Sequence, residues 1–288
     1  MELAIISGKG GTGKSTISAA FATLNGKVVL ADCDVDAANL YLLFNPDHDE
    51  EEIYISGHKA ILNPSLCTNC GLCLEHCRFD AITAGKETVM ISETLCDGCF
   101  LCSRICPENA ISMIPSNKSR MYSGSFRNGK MVFGRLAPGE ENTGKLVNMV
   151  REKAKNISRK SGIEHIILDG PPGIGCPAIS TITGVDKVII VTEPTISGIS
   201  DMQRAVAVVQ KSGRTPDVII NKCDINDDMC GKIKNWCSGN SILVAGTLPF
   251  DPAMVRSMVN SLSINEYDPE NSINESIRNI WNNILNNK

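Results

Sequence analysis

Short apolar runs recur along the chain and alternate with longer segments whose apolar residues have helical spacing. The runs occupy residues 3–7, 27–31, 164–168, 187–191, 217–220 and 242–245. Each run is followed by Gly, Pro, Asp or Asn, and most are then followed by a helical stretch. Nearly continuous apolar strands separated by helices are typical of a buried parallel sheet. The sequence therefore predicts an α/β fold with a mostly parallel sheet and helices on both of its faces.

Residues 60–114 interrupt this pattern with an internal repeat of cysteines. The spacing C-x₂-C-x₂-C-x₃-C occurs in two halves, residues 66–83 and 95–111. This spacing is typical of bacterial ferredoxins that carry two iron–sulfur clusters, and repeats this small depend on their metal for stability. We predict an inserted ferredoxin-like α+β domain at residues 60–114, with residues 1–59 and 115–288 forming the other domain. Zinc is the alternative, but no His stands at ligand spacing.

The cysteine ligands can be divided between two clusters, because in two-cluster ferredoxins the last cysteine of each run binds the other cluster. The first predicted 4Fe–4S ligand set is Cys67, Cys70, Cys73 and Cys106. The second is Cys96, Cys99, Cys102 and Cys77. Arg78 stands where such a run usually has Pro, and it could expose a sulfur or shift a reduction potential.

A phosphate-binding motif follows the first apolar run. Its pattern is G-x₄-G-K-[ST], placed between a predicted strand and a predicted helix at residues 15–24. The glycines let backbone N–H groups surround phosphates, Lys14 reaches the β- and γ-phosphates, and Ser15 binds Mg²⁺. The predicted nucleotide-binding residues are Gly8, Lys9, Gly10, Gly11, Thr12, Gly13, Lys14, Ser15 and Thr16.

Lys9 makes the motif more specific, because K-G-G-x-G-K-[ST] resembles the deviant Walker A motif of the MinD/ParA/Mrp and nitrogenase iron-protein superfamily. In that superfamily the extra lysine reaches the partner's nucleotide across a dimer interface, so the resemblance implies an ATP-dependent homodimer. A solvated loop lysine is the alternative. With its cysteines included, the chain resembles MinD-superfamily P-loop ATPases that carry an inserted ferredoxin domain, over essentially its whole length and including residues 136–146.

The resemblance also implies roles for acidic residues. Asp34 matches the aspartate that orients or activates the attacking water near Mg²⁺, with Asp32 and Asp36 close by. Asp169, within residues 166–173, matches the Walker B aspartate that holds Mg²⁺. Gly173 matches the residue whose N–H lies near the γ-phosphate. Catalysis is therefore expected to involve Lys9, Lys14, Asp34 and Asp169.

Residues 220–224 and 248–252 follow two late strands, where the family has its adenine-binding loops. Asn221 and Pro249 are the candidate contacts with the base. Because N-K-x-D also selects guanine in related GTPases, Asp224 leaves GTP open as the nucleotide.

The net charge and the length of the apolar runs limit the kinds of partner and the location that the sequence predicts. The net charge of −4 gives no support to a nucleic-acid partner. No apolar run is long enough for a membrane span, and no secretion signal is recognisable, so we expect a cytoplasmic protein in a reducing compartment.

Residues 118–160, with a hairpin turn at Asn128 and Gly129 and a helix from residue 143, are rich in Lys and Arg. They predict either a solvated surface or a docking site for the ferredoxin or an anionic partner.

Residues 271–288 have apolar side chains at helical spacing and predict an amphipathic helix packed on the sheet. Membrane targeting by this helix is the alternative, but its polar face carries Asn rather than Lys or Arg.

Cys176 lies seven residues after Asp169, at the offset of a bridging-cluster cysteine in the nitrogenase iron protein. It is a candidate for binding a metal shared between subunits or for linking nucleotide state to the clusters, and a packed switch residue is the alternative.

For the whole chain, we expect ATP-driven dimer rearrangement coupled to electron transfer to an unknown redox partner. An ATP-dependent Mrp-type carrier that assembles or delivers clusters is the alternative, although such carriers usually present a C-x-x-C outside any ferredoxin insert. A ParA-like positioning role is a third possibility.

Overall fold

The computed structural model describes residues 1–24, 26–140 and 144–286. Its strands in the described ranges are β1 (Glu2–Ser7), β2 (Val28–Asp32), β3 (Glu50–Tyr54), β4 (His58–Leu62), β5 (Ile82–Ala84), β6 (Val89–Ile91), β7 (Ile111–Pro115), β8 (Ser119–Phe126), β9 (Gly129–Arg135), β10 (His165–Pro172), β11 (Lys187–Thr192), β12 (Asp217–Ile220) and β13 (Val244–Thr247). Its helices in the same ranges are α1 (Lys14–Ala22), α2 (Leu40–Phe44), α3 (Leu72–Glu75), α4 (Leu101–Ile105), α5 (Lys145–Ser161), α6 (Cys176–Ile182), α7 (Ile196–Lys211), α8 (Asp227–Gly239), α9 (Pro252–Val259), α10 (Ile264–Tyr267) and α11 (Ile273–Asn286).

A large sheet has the strand order β13-β12-β11-β1-β10-β2-β9-β8-β3 among the described residues. The strands from β13 to β9 run parallel to one another. Ile5 lies opposite Asp169, which in turn lies opposite Asp32 on the next strand. This register brings the carboxyl ends of β1, β10 and β2 to one edge, where ligands bind in open α/β sheets. The predicted mostly parallel α/β fold is confirmed.

The basic segment begins with the predicted hairpin. Strands β8 and β9 are neighbours joined by Arg127 and Asn128. Gly129 has a φ of 139°, and a Cβ there would lie 2.1 Å from the Val28 carbonyl oxygen. Only glycine therefore allows β9 to begin so close to β2. The predicted start of the next helix at residue 143 lies outside the described residues, and α5 begins at Lys145.

The C-terminal helix α11 packs its apolar face into the core, as predicted. Ile277, Ile280 and Ile284 are buried there, and the Trp281 ring lies 5.1 Å from that of Phe21 in α1. Residues 287 and 288 of the predicted helix lie outside the described part. No helix in the described part of the chain is long and apolar enough to cross a membrane.

The chain divides into two compact units. We call Glu52–Arg120 together with Arg135–Asn142 the insert unit, and Met1–Glu51, Met121–Gly134 and Thr143–Lys288 the nucleotide unit. Residues 60–114, the predicted ferredoxin-like domain, lie inside the insert unit. In that unit β4 pairs antiparallel with β7, and β5 pairs antiparallel with β6. Its small apolar core includes Ala60, Ile82, Val89 and Ile111, with Cys73 and Cys96 buried among them.

Candidate functional site

The phosphate-binding motif forms the turn between β1 and α1. Gly11 and Gly13 have φ values of 81° and 89°, a region that favours glycine, and α1 begins at Lys14. A cavity of about 360 Å³ opens beside this turn. It brings together most of the predicted nucleotide-binding residues, namely Gly10, Gly11, Thr12, Gly13, Lys14, Ser15, Thr16, Asp34, Asn221 and Pro249.

Asp169 is the buried centre of the polar network below the cavity. Its carboxylate lies 2.9 Å from the Lys14 Nζ, and it accepts hydrogen bonds of 2.7 Å from the hydroxyls of Ser15 and Ser18. The Ser15 hydroxyl and the Asp169 carboxylate are adjacent oxygen donors, the kind of ligand that Mg²⁺ prefers. These residues therefore fit the predicted Mg²⁺ site. Sequence reasoning missed Ser18, because a serine one turn further along a helix has no motif of its own.

Asp32, the last residue of β2, and Asp34, two residues later, differ in their surroundings. Asp32 is fully buried and accepts backbone hydrogen bonds of 3.1 Å from Asp34, Asn39 and Leu40, so it shapes the loop that presents Asp34. Burial and the neighbouring Asp169 raise the pKa of Asp32 to about 7. Burial also raises the pKa of Asp34, against the opposing effect of Lys14. A carboxylate with a raised pKa is a stronger base, which suits a group that activates water.

Asn221 holds the phosphate-binding turn. Its side-chain amide donates a 2.8 Å hydrogen bond to the carbonyl of Thr12, and its Oδ1 accepts one of 3.0 Å from the backbone of Lys222. A Cβ on Gly13 would lie 2.3 Å from the Asn221 Nδ2, so the amide packs directly on the turn. This contact was not anticipated. The predicted contact of Asn221 with a nucleotide base stays a prediction.

Lys9 is bound within its own chain. Its Nζ lies 2.6 Å from the Glu193 carboxylate and 3.1 Å from the hydroxyl of Ser197. Lys222 pairs with the same carboxylate at 3.2 Å and also donates to the carbonyl of Gly11. Burial favours a higher pKa for Glu193, but the hydrogen bonds from the two lysines outweigh it and hold the pKa below its usual value. Sequence reasoning missed Glu193, which has no motif around it.

The predicted base loops meet through Asp224, whose carboxylate accepts a 2.6 Å hydrogen bond from the backbone of Phe250. Next to it, Cys223 and Cys230 form a disulfide that ties this loop to α8. This disulfide disagrees with the reducing compartment predicted from the sequence, which gave no sign of the pair. Its C-x₆-C spacing matches no common motif.

Two predicted switch residues follow β10. The Gly173 N–H donates a 2.8 Å hydrogen bond to the carbonyl of Ser7, which keeps it on the turn in this structure. Cys176 is exposed as the first residue of α6. The proposed roles of Gly173 at the γ-phosphate and of Cys176 at a shared metal stay predictions.

In the insert unit, the cysteines line two cavities. The Cys96 cavity, of about 220 Å³, is lined by Cys96, Cys99, Cys102 and Cys77, together with Cys73. The Cys67 cavity, of about 20 Å³, is lined by Cys67, Cys70, Cys73 and Cys106. The four-cysteine sets predicted from the spacing thus line different cavities. The Cys67 cavity has room for little more than a water molecule, so its cysteines would have to spread to hold a cluster.

Four cysteine thiolates are the donor set that a 4Fe–4S cluster takes. Among the described residues, however, no group of three or more His, Cys, Asp or Glu is arranged to hold a metal ion. Both predicted ligand sets therefore stay predictions. Backbone N–H groups of Asn69, Ala110 and Ala60 donate to the sulfurs of Cys67, Cys106 and Cys96, a contact that tunes such clusters.

Comparison with known proteins identifies the family. The family model of the CobQ/CobB/MinD/ParA nucleotide binding domain matches residues 3–264. The chain belongs to this family. It is therefore a nucleotide-binding protein of the MinD/ParA type, as the motif around Lys9 and Lys14 indicated.

The relatives of this chain include two proteins of Methanocaldococcus jannaschii. An uncharacterised protein is 34% identical over 284 residues, covering 98% of this chain and 95% of the relative. An uncharacterised ATP-binding protein is 28% identical, over 88% of this chain and 75% of the relative.

Solved structures resemble the fold. The cell division ATPase MinD of Pyrococcus furiosus has a TM-score of 0.59 at 20% identity, over 99% of this chain and 98% of that one. The septum site-determining protein MinD of Pyrococcus horikoshii, complexed with Mg-ADP, has a TM-score of 0.59 at 19% identity, over 98% and 95%. Likeness at this level concerns the fold.

Proposed function

We propose that this protein is an ATP-hydrolysing homodimer whose nucleotide state controls electron transfer through two 4Fe–4S clusters held in the insert unit. The observation that carries the proposal is the pair of cysteine-lined cavities in a chain that also has a MinD-type phosphate-binding turn. Each cavity is lined by one complete predicted ligand set. The clusters would supply one-electron transfer at low potential.

The nucleotide chemistry is hydrolysis of ATP by water to ADP and phosphate. Ser15 and Asp169 would hold Mg²⁺, Lys14 would offset the charge on the transferring phosphoryl group, and Asp34 would orient the water and accept its proton. In this structure Lys14 pairs with Asp169 at 2.9 Å. Nucleotide binding therefore requires Lys14 to exchange this partner for phosphate oxygens, which gives the site two arrangements.

Lys9 would couple nucleotide binding to dimerisation. Its ammonium is 2.6 Å from Glu193 in its own chain, and to reach a nucleotide in a second subunit it must leave that carboxylate. The dimer would then form preferentially with nucleotide bound, because the partner's phosphates replace Glu193 as the counter-charge. Lys9→Ala should remove ATP-dependent dimerisation, measured by light scattering, and leave nucleotide binding to the monomer. Lys27→Ala, an exposed lysine before β2, is the matched control.

The electron-transfer proposal is tested on full-length protein purified without oxygen. Cys70→Ser and Cys99→Ser should each lower the iron content and remove part of the spectroscopic signal of the reduced clusters, whereas Cys237→Ser, outside the insert unit, should lower neither. Full iron content in both insert variants would contradict the proposal. Cys176→Ala tests the separate hypothesis of a shared metal, which fails if all the iron is retained.

Cluster delivery is distinguished from electron transfer by labelled iron. The labelled protein is mixed with an apo-ferredoxin, with and without ATP. We expect the label to stay in this protein in both conditions. ATP-dependent transfer of label would favour the carrier function instead.

A further inference from the structure

A buried lysine is hydrogen-bonded to the backbone of one of the two cysteine sets. Lys59 is 6% exposed, and its ammonium donates hydrogen bonds of 2.8 Å to the carbonyl of Cys96 and 2.9 Å to the carbonyl of Gly139. Both of these acceptors are neutral carbonyls, so neither cancels the charge. The next residue, Ala60, donates its N–H to the Cys96 sulfur at 3.5 Å.

The backbone packs tightly at this point. Gly98 lies in the Cys96–Cys99 loop with a φ of 75°, and a Cβ there would be 2.3 Å from the carbonyl oxygen of His58. The beginning of β4 is therefore pressed onto this cysteine loop. Lys59 is held beside Cys96 by its backbone as well as by its ammonium.

The internal repeat shows that the other site has no counterpart to this charge. Lys59 stands eight residues before Cys67, and the residue eight before Cys96 is Thr88. The same offset relates Leu62 at the end of β4 to Ile91 at the end of β6, so the two halves are in register. Where one half of the repeat supplies an ammonium, the other supplies a neutral hydroxyl.

Other charged side chains also lie near the two cavities, and some of them oppose the effect of the Lys59 charge. The Cys67 cavity is lined by Glu108, while Arg78 and Asp97 both line the Cys96 cavity. Glu140 is close enough to Lys59 for the ammonium to help lower its pKa, although burial opposes this and the hydroxyls of Ser116 and Ser119 contribute more. Hydroxyls do not cancel the Glu140 charge, so this carboxylate opposes the effect of Lys59. It is bonded to Ser116 and Ser119, whereas the Lys59 ammonium is bonded to the Cys96 carbonyl itself.

Backbone N–H groups donate to sulfurs of both cysteine sets. Those of Asn69 and Ala110 donate to Cys67 and Cys106 at 3.4 and 3.3 Å, that of Ala60 to Cys96 at 3.5 Å, and that of Ser103 to Cys102. These are partial charges at long distances, whereas Lys59 brings a full charge into a poorly solvated position, where electrostatic effects are large. Lys59 should therefore dominate.

We infer that Lys59 is a positioning residue that makes the cluster at the Cys96 cavity the more easily reduced of the two. This inference rests on the proposed function. Adding an electron makes a cluster more negative, and a nearby fixed cation stabilises that state. An electron from a low-potential one-electron donor would then reside on the cluster bound by Cys96, Cys99, Cys102 and Cys77.

The test is a redox titration of the anaerobic full-length protein with dithionite, followed by electron paramagnetic resonance. Lys59→Met should lower the higher of two midpoint potentials by about 59 mV, a tenfold change in the one-electron equilibrium, and leave the lower one unchanged. Lys59→Arg, which keeps the charge, should restore most of the shift. Lys86→Met removes an exposed lysine of the same unit and should change neither potential.

Thr88→Lys is the reciprocal variant, and it should raise the lower potential. If Lys59→Met loses iron, its potentials do not report on the charge of Lys59, and Thr88→Lys then tests the inference. The inference is wrong if Lys59→Met moves neither potential or moves the lower one, or if Thr88→Lys moves the higher one. Parent protein with no clusters at all would overturn the proposed function, which separates the two failures.

Discussion

Asn221→Ala should destabilise the nucleotide unit, because Asn221 holds the phosphate-binding turn in addition to its predicted contact with the base. The variant removes a buried 2.8 Å hydrogen bond to the Thr12 carbonyl and a 3.0 Å hydrogen bond from the backbone of Lys222. Each is worth about 1 kcal/mol, and leaving the Thr12 carbonyl buried without a partner costs about 1 to 3 kcal/mol more. With partial relaxation, we expect the free energy of unfolding to fall by about 2 to 4 kcal/mol.

Urea denaturation followed by tryptophan fluorescence measures this loss selectively, because both tryptophans, Trp236 and Trp281, lie in the nucleotide unit. With a urea dependence of about 3 kcal/mol per M, the midpoint should fall by about 1 M. Asn260→Ala is the matched control. Its side-chain amide makes an exposed 2.8 Å hydrogen bond to the Arg256 carbonyl at the end of α9, and its loss should cost below about 0.5 kcal/mol.

Equal midpoints for the two variants would refute the view that Asn221 fastens the phosphate-binding turn. ATP affinity gives a second measure, because a loosened turn must be ordered again on binding. It should fall about tenfold in Asn221→Ala and stay at the parent value in Asn260→Ala.

Two further predictions concern packing and pH. Gly98→Ala should lower iron content, because its Cβ would lie 2.3 Å from the His58 carbonyl oxygen; Gly57→Ala, where a Cβ meets nothing within 4 Å, should retain it. Although burial opposes it, hydrogen bonding to Arg127 lowers the pKa of Glu266, so the pair stabilises the fold above about pH 4.5 and the effect disappears as pH falls through the lowered pKa. Glu266→Gln should therefore cost about 0.5 to 1 kcal/mol at pH 7 and progressively less as the pH falls through the lowered pKa. A loss that stays constant as the pH is lowered, measured by urea denaturation, would contradict this.

The sequence predicted the parallel sheet and the phosphate-binding turn because both depend on short-range rules. Apolar runs bounded by Gly, Pro and Asp mark buried strands, and the motif that ends at Lys14 and Ser15 specifies its own backbone. The division of the cysteines between the two cavities also follows their spacing, whereas their binding of clusters stays a prediction.

Other contacts of the site could not be read from the sequence, because they join residues that lie far apart in the chain. Asn221 holds Thr12 across 209 residues. Glu193 holds Lys9 where the neighbouring strands β11 and β1 end. Neither asparagine nor glutamate carries a signal of such a partner. The disulfide between Cys223 and Cys230 depends on how one loop meets α8. The position of Lys59 beside Cys96 could not be predicted either, because it depends on the fold of the cysteine loop.

The most direct test of the central claim is the reduction potential of the clusters with and without nucleotide. Anaerobic full-length protein is titrated alone, with Mg-ADP and with Mg-ATP, alongside Lys14→Met in the same conditions. We predict that both clusters are retained and that Mg-ATP shifts at least one potential in the parent protein and none in Lys14→Met. Identical potentials in all nucleotide states of the parent would contradict nucleotide control of electron transfer.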